Sequence, residues 1–549
     1  MSKNLRGLSG RKGLNPGIFQ EIAEAAGNIR TDSHEILNEI AERNLVGKSS
    51  VLGASTFYEF LREEHLSKKV FICNGTACLT SGKQKKLKDE LLGLFREDEI
   101  GTVTCLGHCH SNYAFMYDHK TVIYEENGDL KKLLNQPDPA KPVFFTGTNA
   151  GNPALLGETG NIYEYYRILT DYSGDIEKAI EEIFKSGLRG RGGAGFSFSA
   201  KKQASRAAEG LRKYVVCNAD EGDPGAFSDK WLLEERPHSV LFGMMVSGMI
   251  TGADTGIVYI RGEYPESVES VRKAVGDLED AGLAGAGCRG AGFCFEFHVV
   301  EGMGAYICGE ETSLLNSIEG LRPEVRTRPP FPATYGLFGK PTILSNVETF
   351  ANIRYILKEG GETYAALGTE KSPGTKLVSL DGGFNKPGLY EIKMGTPLGL
   401  VFNELGGGTK YPVKAFQIGG PLGGIVPASR VNNLTLDFES FSREGFLLGH
   451  AGVVSIPETF PIIDFLKHLF EFTSAESCGK CFPCRIGSKR GTELLSAAVN
   501  DGGKIDIQLF DDLLETMQLG SLCALGGGLP LPVRNAMKYF EAELSGFFR

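Results

Sequence analysis

Eight of the twelve cysteines fall into two tight groups, and their spacing constrains the chain more than any other feature. Cys73-Asn-Gly-Thr-Ala-Cys78 has the spacing C-x4-C, and Cys105-Leu-Gly-His-Cys109 has C-x3-C. Far along the chain, Cys478-Gly-Lys-Cys481-Phe-Pro-Cys484 is C-x2-C-x2-C, with Cys523 following in GSLCALGG. Clustered cysteines in a chain without a secretory signal read as metal ligands before they read as disulfides. The start, MSKNLRGLSGRKGLNP, is basic with no apolar core behind it, so a reducing, cytoplasmic location is expected.

KKVFICNG and IGTVTCLG each read as a short strand ending in cysteine, which lets the first four thiolates converge at one edge of a small sheet. Four thiolates form the ligand set of a [2Fe-2S] cluster. A four-cysteine zinc site, usually made from tighter pairs, is the alternative. His108 and His110 flank Cys109 and are expected beside the cluster rather than on it. In the second group, three cysteines on one turn can hold three corners of a [4Fe-4S] cubane while Cys523 holds the fourth. Zinc would more naturally use two CxxC pairs. Cys217, Cys288, Cys294 and Cys308 form no spacing set and read as core or surface residues, although Cys288 and Cys294 are near enough in sequence to pair.

Composition narrows the rest. The chain has 549 residues, 41% of them hydrophobic and 23% charged, with a net charge of −10. That is ample material for several cores. A net acidic chain is a poor non-specific binder of nucleic acid or anionic membrane. No apolar run reaches the roughly 18 residues needed to span a bilayer. Glycine reaches 72 residues, an excess that points to backbone held close to ligands.

The patterning divides the chain into five segments of an α/β multidomain fold. Residues 1–65 read as a helical segment, with Ile36, Leu37, Ile40 and Leu45 near one stripe behind a cap at Asp32 or Ser33, and a second helix or its start at Ala54–Leu61. Residues 66–136 read as strand, helix, strand, strand, a small α/β domain around the first cysteine group. NQPDPAKP, from Asn135 to Pro142, reads as a linker. A long α/β segment, 137–370, holds the densest glycine loops. Residues 371–460, with TKLVSLDG, GLYEIKMG and KAFQIGG, resemble a β-grasp module. Residues 461–549 are helical again and carry the second cysteine group.

Gly187-Leu-Arg-Gly-Arg-Gly-Gly-Ala-Gly-Phe196 holds five glycines in ten residues, with Arg189 and Arg191. A glycine loop entering a helix presents free N–H groups to an anion. The run lacks the simple G-x-G-x-x-G pattern with an acid about 20 residues on, and it is not a Walker loop. Asn218-Ala-Asp220-Glu221-Gly-Asp223 follows the strand KYVVC, and Gly309-Glu310-Glu311-Thr312 follows the strand-like AYIC. Acids at strand ends beside glycine loops suit ribose hydroxyls and amides, not phosphate.

Taken together, GLRGRGGAGF, CNADEGDPGAF, GAYICGEET, RPPFPATYGLFGKPT, SNVETFANI, ESCGKCFPCR and the late Cys523 resemble the flavin-containing NADH-binding subunit of respiratory complex I. The same module serves as the diaphorase subunit of NAD-reducing hydrogenases and NAD-dependent formate dehydrogenases. The upstream segment resembles the thioredoxin-like [2Fe-2S] subunit of complex I, here fused to it. The late GSLCALGGGLPLPVRNAMKYF is most similar to formate dehydrogenase versions.

The resemblance implies a Rossmann-like domain for FMN and NADH, an SLBB-like β-grasp domain and a C-terminal helical bundle with a [4Fe-4S] cluster. It implies that Gly190, Arg191, Gly192, Gly193 and Lys201 hold FMN, with Lys201 and glycine N–H groups towards its phosphate. Asn218, Asp220, Glu221, Gly309 and Asn346 would line the flavin, with Asp223 and Thr349 in the same set. Phe196 and Phe331 would stack on the nicotinamide nucleotide, with Glu310, Glu311 and Arg328 on its side. Glu221 and Glu311 would act by positioning, since hydride transfer itself needs no acid or base. A carboxylate at Glu311 would favour NAD(H) over NADP(H) by repelling a 2′-phosphate. Ser345 stands where the family has a second asparagine, Arg328 where it has lysine, and an aromatic expected near Ala204 is missing. The implied partners are other members of a redox complex: a molybdenum or tungsten formate dehydrogenase type or a nickel–iron hydrogenase type, with a further iron–sulfur polypeptide. An electron-transfer scaffold with a decayed nucleotide site is the non-enzymatic alternative.

Overall fold

The computed structural model describes residues 14, 17–28, 33–124, 128–135, 144–158, 160–210, 212–285 and 293–549. Most of the linker NQPDPAKP, together with Asp32 and Cys288, lies outside these residues.

The N-terminal helices Ile18–Asn28, Ser33–Arg43 and Lys48–Ser55 bury Leu37, Ile40 and Ala41, an i, i+3, i+4 face. The expected stripe needs correction. Ile36 lies off that face at 37% exposure, and Leu45, whose φ of 55° ends the helix, is 60% exposed. Ala54–Leu61 is the end of one helix and then the short 3-10 turn Glu59–Leu61. These helices share a core with Val216, Tyr259, Leu314 and Cys478 rather than with the ferredoxin-like sheet.

That sheet comprises β1 (Val70–Cys73), β2 (Ile100–Val103), β3 (Ala114–Tyr117) and β4 (Lys120–Ile123), ordered β2-β1-β3-β4. β1 and β2 are parallel, and the other pairs are antiparallel. The right-handed crossover expected between parallel strands uses the helices Thr76–Thr80 and Gln84–Leu91. Phe145–Thr148 (β5), within the long α/β segment by sequence, pairs instead with the β-rich unit downstream.

β6 (Tyr214–Ala219), β7 (Thr255–Ile260), β8 (Glu296–Glu301) and β9 (Thr342–Asn346) form an all-parallel sheet ordered β8-β7-β6-β9. β7 is buried at every residue, as a parallel strand covered on both faces must be. The order reverses between β6 and β9, and open α/β sheets bind ligands at such a switch point, beyond the carboxyl ends of the strands.

β10 (Thr375–Leu380), β11 (Gly388–Lys393), β12 (Val413–Ile418), β13 (Ile425–Pro427) and β14 (Gly452–Pro457) form a sheet ordered β13-β12-β14-β10-β11-β5. Its first and last strands, β10 and β14, lie parallel at the centre, the β-grasp arrangement, with β5 added at the edge. The helices Ile462–Glu476, Phe482–Asn500, Ile507–Gly520 and Pro530–Tyr539 close the chain around Phe465, Leu469, Phe510 and Leu514. Among the described residues no helix is long and apolar enough to cross a membrane.

Candidate functional site

The glycine loop is closed on itself. Gly190 N–H donates to the Phe196 carbonyl at 2.8 Å, and Phe198 N–H donates to that of Leu188 at 3.0 Å. It then enters the helix Phe198–Ala207, capped by Ser197. A Cβ at Gly192 would stand 3.0 Å from the Cβ of Asn346, so glycine lets the loop lie tightly against the end of β9. Asn346 caps the helix Val347–Glu359 by accepting from Thr349 N–H at 3.0 Å, and the Thr349 hydroxyl accepts from Arg191 N–H at 2.9 Å. The loop thus meets the N-terminus of this helix at the switch point, where an anion is favoured.

The end of β6 supplies the opposite wall. Asn218 Nδ2 donates to the Gly309 carbonyl at 2.9 Å, tying that wall to the turn before Glu310. Asp220 is turned inward with Oδ2 buried and unpartnered, and burial holds its carboxyl well above the usual range. Asp223 accepts from Tyr306 O–H at 2.7 Å. Glu221 is buried, accepting from the N–H groups of Asp229 and Lys230 at 2.9 and 3.0 Å. AYIC is not a strand. Tyr306–Gly309 is a 3-10 turn, which brings Glu310 to the N-cap of the helix Glu311–Ile318, accepting from Thr312 and Ser313 N–H. Glu310 Oε1 is buried without a hydrogen-bond partner.

The cations stand elsewhere than a phosphate-holding role alone suggests. Lys201 Nζ lies 3.1 Å from Glu311 Oε2, and Arg328 Nη1 lies 2.9 Å from Glu311 Oε1. Arg191 is fully buried, with Nη2 donating to Tyr364 Oη at 2.9 Å and to the Pro373 carbonyl at 2.6 Å. Only its backbone faces Thr349. Phe196 and Phe331 are more than half exposed, at 55% and 56%, open aromatic faces of the kind that accept a planar ring.

The first four cysteines are brought together as expected. Cys105 Sγ lies 3.5 Å from Cys109 Sγ, and the Cys73 thiol is within hydrogen-bonding reach of both Cys105 and Cys78. The Cys109 thiol is pushed well up by its hydrogen bond to Cys105 and by burial, although Gly225 N–H donates to its sulfur at 3.2 Å. Such crowding of buried thiols fits a metal centre that would take them as thiolates. His108 hydrogen-bonds Thr121, and His110 packs between Phe144 and Phe227. In the second group Cys481 is the N-cap of the helix Phe482–Asn500, with Cys484 in its first turn and within reach of it. Cys523 is the N-cap of the next short helix, and burial raises its thiol to about 12. Cys217 and Cys308 are free and buried, whereas Cys294 is disulfide-bonded, against the expected core or surface role.

Sequence reasoning missed Tyr306, Asp229 and His450. His450 Nε2 lies 3.1 Å from Asp229 Oδ2 and its Nδ1 3.6 Å from Glu221 Oε1. No sequence signal marks it, because 221 residues separate it from Asp229.

Three family models match the chain: the Nuo51 FMN-binding domain over residues 183–355, the iron-sulfur binding region of NADH-ubiquinone oxidoreductase-F over 464–546, and the thioredoxin-like [2Fe-2S] ferredoxin over 18–137. The chain belongs to the family of complex I flavin subunits and hydrogenase diaphorase subunits, and is a flavin and iron–sulfur oxidoreductase component. It is 39% identical over 409 residues to an F-type NADH-quinone oxidoreductase polypeptide of Rhizobium meliloti, covering 73% of this chain and 96% of that one. It is 38% identical over 522 residues to the alpha polypeptide of the NAD-reducing hydrogenase HoxS of Cupriavidus necator, covering 88% and 84%. The HndC polypeptide of the NADP-reducing hydrogenase of Solidesulfovibrio fructosivorans is 42% identical over 369 residues, covering 67% and 75%. Among solved structures, an NAD+-reducing [NiFe]-hydrogenase in the H2-reduced state matches with a TM-score of 0.85 at 25% identity, covering 98% of this chain and 93% of that one. FMN, a [4Fe-4S] cluster and a [2Fe-2S] cluster are the cofactors of this family, and NADH is its substrate.

Proposed function

We infer that this chain is the diaphorase subunit of an NAD-dependent formate dehydrogenase, exchanging reducing equivalents between NAD(H) and a partner polypeptide that oxidises formate. The observation that carries the choice of partner is the run Gly520–Phe540, which resembles formate dehydrogenase diaphorase subunits. FMN and the clusters would supply the redox chemistry when bound, coupling two-electron hydride exchange with NAD(H) to one-electron transfer with the partner.

The chain's own residues bind and orient. The loop Gly190–Gly193 and the helix N-terminus at Thr349 make the phosphate end of the cradle, and Gly192 sets how close they come. Asn218, Asp220 and Asn346 present polar groups at the switch point, and the unpartnered Asp220 Oδ2 fits an amide or hydroxyl donor of the flavin. Glu311, held between Lys201 and Arg328, is placed on the nucleotide side of the cradle, where a carboxylate can accept ribose hydroxyls. Phe196 and Phe331 cover the nucleotide ring.

A hydrogenase partner is the second reading. It is favoured by the match to the HoxS alpha polypeptide, which covers 88% of this chain and 84% of that one. Metal analysis of the complex purified from its native source separates the two. Molybdenum or tungsten beside iron is the expected result, and nickel would replace the formate reading with the hydrogenase one.

A further inference from the structure

Beneath the flavin cradle lies a buried charge cluster that joins Glu221 to Asp229 and His450, two residues the proposed reaction does not use. Glu221, Asp229 and His450 are 3%, 2% and 6% exposed. His450 comes from the β-grasp unit, on the turn before β14, while both carboxylates come from the flavin unit, beyond β6. The turn is pressed against the glycine loop, since a Cβ at Gly193 would stand 3.5 Å from the carbonyl carbon of Gly449. Asp229 in turn lies 3.4 Å from Asn346 Nδ2. One line of polar contacts therefore runs from His450 through Asp229, Asn346 and Thr349 to the backbone of Arg191.

Two buried carboxylates this close need a counter-charge. The other cations around them are bound to different acids. Lys230 Nζ pairs with Glu234 and Glu266, Arg261 with Glu263, and Lys376 with Glu348. The groups facing the imidazole are Glu221 and Asp223 from the acidic loop, Ser228 and Asp229 from the helix start, and Lys376 from β10. Despite burial, the Asp229 carboxylate raises the imidazole to about 9. Burial and the Asp229 charge push the Glu221 carboxyl up, and His450 opposes that push.

We propose that His450 is a positioning residue of the flavin cradle: an imidazolium lent by the β-grasp unit, it balances Glu221 and Asp229 and so holds Asp229 against Asn346 and the glycine loop in the form that binds FMN. This rests on the flavin lying in that cradle. A histidine that merely fills space would tolerate a neutral side chain of similar size; a counter-ion would not, unless one acid were neutralised with it.

The test is titration of FMN into the deflavinated full-length protein, followed by flavin fluorescence. His450→Gln is expected to raise the dissociation constant about tenfold or more, the effect of one unit of displaced ionisation. Because His450 holds the Glu221 carboxyl down to about 7, its loss should move that group's proton release, and any fall in FMN affinity that follows it, to higher pH than in the wild type. The charge-balanced His450→Gln/Asp229→Asn should recover most of the affinity. Wild-type affinity in the single variant, or a double variant as weak as the single, overturns the proposal. If the single variant fails to fold, by circular dichroism and iron content, and the double folds and binds FMN, the counter-ion role stands; if neither folds, it falls. Gly192→Ala separates this from the location of the cradle. Unchanged FMN binding there would remove the cradle itself, whereas lost binding there with normal binding in His450→Gln would overturn only the role of His450.

Discussion

The two cysteine groups offer the same side chain in differently closed surroundings. Cys73, Cys78, Cys105 and Cys109 are 2%, 3%, 0% and 2% exposed. They are sealed where three units meet: Gly225 of the flavin unit donates to the Cys109 sulfur, and Gly382 of the β-grasp unit donates to the Cys109 carbonyl. Thr76, in the helix that carries Cys78, bonds Gln417 of β12. The second site has Cys478 and Cys484 buried in the core shared with the N-terminal helices, while Cys481 and Cys523 are only partly covered. Phe482 and Leu519, on the two helices that flank these ligands, are 67% and 78% exposed. It is tied to the flavin unit by Arg322, which donates to the Cys478 carbonyl, and by Lys480, which donates to that of Val325. Ligand identity alone therefore does not say whether a cluster faces the inside or the outside of a subunit; the packing of neighbouring units does.

The contrast is sharpest in stability. Phe227 is buried against His110 and Phe144 beside the first site. Phe227→Ala should cost about 3–5 kcal/mol through transfer and cavity terms. Phe482→Ala beside the second should stay within about 0.5 kcal/mol, as exposed positions do. Chemical denaturation of both variants measures this, and equal losses would break the comparison.

Cys481→Ser tests the outward face. NADH should still bleach the bound flavin, while electron transfer to the partner falls by about a hundredfold or more, the upper range for damage to a metal site. Flavin that no longer bleaches while still bound would show that the second site is needed before electrons leave the flavin. Smaller in effect is access to iron. A hydrophilic chelator added to the isolated chain should strip the second site about tenfold faster than the first, in line with the higher opening free energy of buried regions. Loss of both signals at one rate would mean that the seal around the first site opens readily.

Local chemistry wrote much of this into the sequence. The eight clustered cysteines, the glycine loop entering a helix and the acids after KYVVC were legible because each depends on neighbours within a few residues. β1, β2, β6, β10, β11 and β12 were legible for the same reason, as short apolar runs bounded by turns. β3, β5 and β14 were not read, and AYIC was misread as a strand, because short apolar segments take their state from the partners they meet. The same limit hid His450, a lone histidine among glycines. The sequence by itself determined which atoms can bind iron and which loop can admit a flavin, since those are properties of residue type and spacing. Only the tertiary structure decided that one cysteine group is sealed and the other partly open, that Lys201 and Arg328 pair with Glu311, and that a histidine of one unit lies against two carboxylates of another. Burial and charge pairing arise between segments hundreds of residues apart, and no local pattern carries them.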